Sequence, residues 1–198
     1  YKKEVKSLSR ERIWMELKRI LSVPEPQHIF SIMIEEGILD EVFPPIEIEG
    51  LSKVITAEKK YSVSPSHLVR LFSLNKSIGK KWAHYVSLTS NEAKILEFIK
   101  ESLAHYKDLK TVAYKFGRVV AEGWLLNYHD GSSEMIPSKI SEIIDNGCNA
   151  FFPISGVDLL EEMEEGPELG RQMERLEKLW IKSGFKMSKE ELLSKSKS

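Results

Sequence analysis

Among its 198 residues the sequence has a single cysteine, Cys148. One thiol excludes an internal disulfide framework and any all-cysteine metal cage, and it suits a reducing compartment. Long hydrophobic runs are missing as well. No uninterrupted apolar stretch approaches the roughly 20 residues of a membrane-spanning helix, and no charged-then-apolar secretion signal opens the chain. The expected compartment is therefore the cytoplasm, with no membrane partner. Charge of one sign is also lacking: 29 Lys and Arg stand against 30 Asp and Glu, a net charge of −1. Any argument for nucleic acid must then come from local clustering. Strict apolar alternation, the main sign of a half-buried strand, is nearly absent. There is no phosphate-cradling glycine loop, no serine nucleophile elbow, no internal repeat and no low-complexity linker within the body.

What remains is helical periodicity in a chain that is 41% hydrophobic, enough to bury a real core. The expected fold is an all-α, elongated array of short to medium helices, in three regions: 1–45, 46–150 and 151–198. Ile13, Leu17, Ile20 and Leu21 recur at helical spacing after a Ser9 cap, and Val23-Pro24-Glu25-Pro26 stops that helix. A short helix follows over 28–36, closed by Gly37. The stretch 46–61, beginning IEIEG, reads as a brief extended piece or a loop. Ser64-Pro65 starts a helix over 66–74. Thr89-Ser-Asn-Glu92 is a capping box ahead of Ala93, Leu96, Ile99 and Leu103. One longer helix is predicted from about Leu109 to about Asn127, and another over 136–144 ending near Asn146-Gly147. Ser155 with Asp158, Gly166-Pro167, and Ser188 with Glu191 mark three further helix starts.

Chemistry-bearing patterns are few. Gly156-Val157-Asp158 invites comparison with the paired-carboxylate motif of two-metal phosphoryl transfer, but that motif sets its acids two apart on a strand. Here Asp158 is followed by Leu160, so Asp158 reads as a helix cap, and Glu161, Glu162, Glu164 and Glu165 read as a solvated helix end. His129-Asp130 resembles the metal-binding pair of HD phosphohydrolases, yet it abuts Gly131 and two serines, the marks of a loop. His28, His67, His84 and His105 are widely separated, with no HExxH or i, i+4 pairing, so no zinc site is indicated.

The helix after Pro167 is more informative. At roughly 100° per residue, Leu169, Met173, Leu176 and Trp180 share one stripe that reads as core. Arg171, Arg175, Lys178 and Lys182 gather on the opposite side. That basic stripe fits either a solvated face or a row of phosphate contacts, which require position and charge rather than base identity. Lys76, Lys80 and Lys81 beside Trp82 form a second patch with the same two readings, and Trp82 reads equally as core.

Several segments resemble one family. LSRERIWMEL (residues 8–17) is similar, at Ser9, Glu11, Arg12, Ile13, Glu16 and Leu17, to the Ser-x-Glu-Arg-Ile motif that closes the neck of bacterial tRNA nucleotidyltransferases (CCA-adding enzymes) and related poly(A) polymerases. EEGILDEVFP (35–44), LTSNEA (88–93), FPISGVDLL, EGPELG and LEKLWIKSGF resemble successive parts of the same family, in order. One departure stands out: Met163 occupies a shorter link where the family usually carries a further glycine.

The resemblance implies that the catalytic head, with its paired aspartates and magnesium, and the Glu-Asp-x-x-Arg element that selects CTP or ATP both belong upstream of this chain. What remains would be the end of the neck (1–45), a helical body (46–150) and a C-terminal body and tail (151–198). This portion would hold no catalytic residue, metal or cofactor of its own. It would support tRNA or another RNA 3′ end, with no role for DNA. Ser9, Glu11, Arg12 and Glu16 would form the neck motif, with Arg12 and Glu16 helping to pair neck and head. Lys80, Lys81, Arg171, Arg175, Lys178 and Lys182 would face RNA. The parent would be a nucleotidyltransferase adding CMP and AMP, or AMP alone, and this portion by itself would be inactive. The competing reading is a free-standing helical module that binds a protein partner.

Overall fold

The Ser9 hydroxyl accepts a hydrogen bond from the Arg12 amide at 3.3 Å and starts helix α1 (Arg10–Ser22), which buries Trp14, Leu17 and Leu21 along one stripe. The computed structural model describes residues 7–128, 139–160 and 164–196. Its regular elements among these residues are all helical, as the periodicity predicts. The chain divides into two units, Tyr1–Cys148 and Asn149–Ser198.

In the first unit, Pro26 occupies the first turn of α2 (Pro26–Glu35), a position where its missing N–H costs nothing. That helix buries Phe30, and Gly37 leaves it at φ 60°. A 3₁₀ turn (Leu39–Glu41) leads on. The stretch read as an extended piece or loop is instead mostly helix, α3 (Ile48–Tyr61). Leu51, Val54, Ile55, Glu58 and Tyr61 form its buried face, and a glutamate within that stripe masks the pattern.

Helix α4 (His67–Leu74) is buried at every residue from Leu68 onward, Arg70 and Ser73 included. It crosses α3 so closely that a Cβ added at Gly50 would lie 2.3 Å from the Ser73 carbonyl oxygen. Only glycine fits there.

A 3₁₀ segment (Gly79–His84) places Trp82 fully inside the core. Helix α5 (Ser90–His105) starts at the predicted capping box: the Thr89 amide donates to Glu92 Oε2 at 2.8 Å and the Glu92 amide to Thr89 Oγ1 at 3.2 Å. The single long helix expected from Leu109 to Asn127 is two, α6 (Leu109–Phe116) and α7 (Arg118–Tyr128). Gly117 separates them at φ 82°, a backbone conformation L side chains rarely adopt. Val119, in the first turn of α7, is exposed. Helix α8 (Ile140–Cys148) packs on α6, where the site of a Gly147 Cβ would be 2.5 Å from the Lys110 carbonyl oxygen. Residues 136–138 of the predicted helix lie outside the described residues, as do His129 and Asp130.

In the second unit, Ser155 and Asp158 do cap, but the element they cap is a 3₁₀ turn (Gly156–Leu159). Helix α9 (Pro167–Lys182) follows with Pro167 in its first turn. Helix α10 (Lys189–Ser196) starts at a reciprocal pair, the Ser188 amide to Glu191 Oε2 at 2.8 Å and the Glu191 amide to Ser188 Oγ at 3.2 Å. Ile154, Leu159, Leu176, Trp180 and Leu192 are buried. The Trp180 ring meets Phe152 and Phe185 at centroid distances of 5.6 and 4.9 Å.

Candidate nucleic-acid interface

Helix α9 separates its two faces as its periodicity predicts. Leu176 and Trp180 are buried and Leu169 and Met173 half-buried, while Arg171, Arg175, Lys178 and Lys182 are all exposed. A shallow open groove runs between the cations, lined by Arg171, Glu174, Arg175, Lys178, Leu179 and Lys182. Three of the four have partners on their own helix: Arg171 pairs with Glu168, Arg175 donates to Gln172 Oε1 at 3.2 Å, and Lys178 lies 4.0 Å from Glu174. Exposed pairs of this kind contribute roughly 0–1 kcal/mol. A phosphate can therefore exchange for a glutamate at little cost, and the face keeps its capacity to bind an anion.

The second predicted patch divides. Lys80 and Lys81 are exposed, and the Lys80 amide donates to Glu97 Oε2 at 3.1 Å. Lys76 is half-buried: its Nζ donates to the Asn127 carbonyl at 3.0 Å, at the C-terminal end of α7. Burial, with the nearby Lys53 charge adding to it and Glu47 opposing, lowers the Lys76 pKa. Lys76 thus helps to complete a helix end. Trp82 is core, not a surface ring.

Around the neck motif, Ser9, Glu11, Arg12 and Glu16 are exposed, and Glu16 is paired with Arg19 at 3.0 Å. Glu11 has its pKa lowered by its own amide and by Ser9 and Ser87. The same helix borders an apolar hollow formed with Met33, Ile38, Val42 and Phe43.

Asp158 is a cap. Its Oδ1 accepts from Lys189 Nζ at 2.6 Å, and its Oδ2 from the Ser155 amide at 2.8 Å and the Ser155 hydroxyl at 2.9 Å. The Lys189 bond first, then those from Ser155, hold its pKa at about 2. Glu164 and Glu165 are exposed; Glu161, Glu162 and Met163 lie outside the described residues. Among the described residues, no group of three or more His, Cys, Asp or Glu is placed to hold a metal ion.

Periodicity alone misses the pair that anchors α1. Arg70, 1% exposed, donates Nε and Nη2 to the Glu58 carboxylate and Nη1 to the carbonyls of Leu21 and Val23, at 2.6 and 2.7 Å. It also misses a junction of α1, α4 and α5. There Lys18 Nζ lies 2.8 Å from Glu92 Oε1, His67 Nε2 3.9 Å from the same oxygen, and the His67 ring edge-on to Trp14. Burial, reinforced by Lys18 against the opposing Glu92, lowers the His67 pKa.

Comparison with known proteins gives two kinds of match. Residues 1–48 match a family model described as "Probable RNA and SrmB- binding site of polymerase A". Over 97% of its length the chain is 26% identical to the mitochondrial CCA tRNA nucleotidyltransferase 1 of Mus musculus, covering 46% of that protein. The human counterpart aligns over the same shares at 26% identity. A CCA-adding enzyme of Coxiella burnetii is 32% identical over 38% of this chain and 20% of its own length. The matches fall in the family that residues 8–17 and the later segments resemble. The chain spans slightly under half the length of the mouse and human relatives. No helix among the described residues is long and apolar enough to cross a membrane.

Proposed function

We propose that this chain is the non-catalytic, RNA-supporting portion of a template-independent nucleotidyltransferase that adds CMP and AMP to tRNA 3′ ends. The exposed row Arg171, Arg175, Lys178 and Lys182 is its principal RNA contact, and Lys80 and Lys81 are a second. The observation that carries this reading is the clean division of α9 into a buried apolar stripe and an exposed basic one, in a chain similar to CCA-adding enzymes. The chemistry belongs to a head that supplies magnesium and binds CTP and ATP. What α9 contributes is placement: four cations fixed on one rigid helix hold phosphates in register without reading bases.

Charge reversal tests it. The pair Arg171→Glu and Arg175→Glu should weaken binding to a tRNA transcript lacking its 3′ CCA. Each lost phosphate contact also lowers the slope of log affinity against log salt by about 0.7–0.9, so the slope should fall by about 1.5. Unchanged affinity and slope would rule out α9 as the interface.

A further inference from the structure

Polar contacts fasten α1 to the rest of its unit along its length. At its start the Arg10 guanidinium donates to the Ala83 carbonyl at 3.3 Å, and at its end Arg70 holds the carbonyls of Leu21 and Val23. Between them lies the junction with α4 and α5, which contains a histidine. There Lys18 Nζ, 2.8 Å from Glu92 Oε1, also sits 4.7 Å from the centroid of the Trp14 ring. His67 Nε2 is 3.9 Å from the same oxygen, and its ring meets Trp14 edge-on at a centroid distance of 5.7 Å. One lysine and one histidine therefore share a single carboxylate oxygen and a single indole.

Glu92 has little more to offer, because its Oε2 accepts from the Thr89 amide and closes the capping box of α5. The Trp14 indole N–H is buried without a hydrogen-bond partner among the described residues, so ring packing and charge hold α1 at this point. A neutral imidazole suits the arrangement; an imidazolium does not. Lys18 already occupies the shared oxygen and lies over the indole. His67 is also the first residue of α4, where the helix dipole disfavours a cation, and it is half-buried, which removes part of the water that would stabilise one. The charged groups that face it are Lys18 from α1 and Glu92 from α5, and burial together with Lys18 outweighs Glu92.

We propose that Lys18, Glu92 and His67 form a proton-sensitive latch for α1. Neutral His67 leaves Lys18 on Glu92 and α1 seated against α4 and α5. A proton on His67 sets a second cation against Lys18 for one oxygen, and the seat loosens. Because the seated form takes up that proton less readily than the released form, the latch is fully closed above the ordinary histidine value of 6.5 and weakens as pH falls below it. The proposal uses no part of the RNA-supporting reading.

The test is NMR on the whole chain, reading the His67 titration and the exchange protection of α1 amides, corrected for intrinsic exchange rates. Between about pH 7.5 and about pH 5.5, the range in which histidine changes charge, α1 amides should lose protection while those of the buried helix α7 keep theirs. His67→Gln, which takes up no proton, should abolish that loss. Lys18→Met keeps a long side chain against Trp14 but removes the competing cation, so the His67 midpoint should rise. If His67→Gln proves poorly folded by circular dichroism, the Lys18→Met midpoint decides. An equal loss of α1 protection in His67→Gln and the parent, or a His67 midpoint unmoved by Lys18→Met, would overturn the latch. Neither readout involves RNA, so its failure would leave the α9 interface standing.

Discussion

Arg70 uses one guanidinium for two purposes that are usually met by separate groups. Its fork neutralises the buried Glu58, and its remaining nitrogen satisfies two of the carbonyls that every helix end leaves without an internal partner, those of Leu21 and Val23. Arg70→Leu would strand a buried carboxylate and two carbonyls together. Removing one partner of a buried pair costs about 3–5 kcal/mol, so urea unfolding should show a loss of that size. A loss under about 1 kcal/mol, the range of an exposed pair, would mean that water reaches Glu58. Neither residue is legible as core from one sequence, because periodicity treats Arg and Glu as surface. Lys76 is hidden for the opposite reason: it sits among lysines that are indeed exposed, and only the end of α7 distinguishes it.

At the scale of the element, helix starts are the most legible feature. Thr89 with Glu92, Ser155 with Asp158, and Ser188 with Glu191 are local bonds, complete within four residues, so the sequence carries them whole. Helix length and continuity are harder to read. The break at Gly117 needs one residue at positive φ inside an otherwise continuous pattern, and α3 needs a glutamate accepted into a core stripe. The Ser155–Asp158 turn also has a pH signature. Asp158 is held at about 2 against an ordinary value of 3.8. Its folded form therefore binds protons less readily than its unfolded form, and its contribution to stability is full above about pH 4 and fades as pH falls towards 2. Asp158→Asn should lower the melting temperature at pH 7 and reduce the dependence of melting on pH between about 4 and 2. Parallel pH profiles for variant and parent would show that Lys189 and Ser155 do not hold this carboxylate in solution.

For the whole molecule, the proposed division of labour between a catalytic head and an RNA-supporting portion has a direct consequence. The purified chain, given CTP, ATP, magnesium and a tRNA lacking its 3′ CCA, should add no nucleotide while still binding the RNA. Incorporation on a labelled transcript checks this, and any extension of the 3′ end would show that the catalytic groups lie within these residues. The all-α class is legible because helical spacing is repeated in nearly every segment; the packing between helices is not, since it depends on contacts far apart in sequence. The crossing of α3 and α4 is the sharpest of these, with Gly50 against the Ser73 carbonyl. Every missense change open to a glycine codon adds at least one carbon at that point. Position 50 is thus closed to mutation in the gene, whatever the substitution, and drift at this crossing can proceed only if Ser73 and its helix move with it.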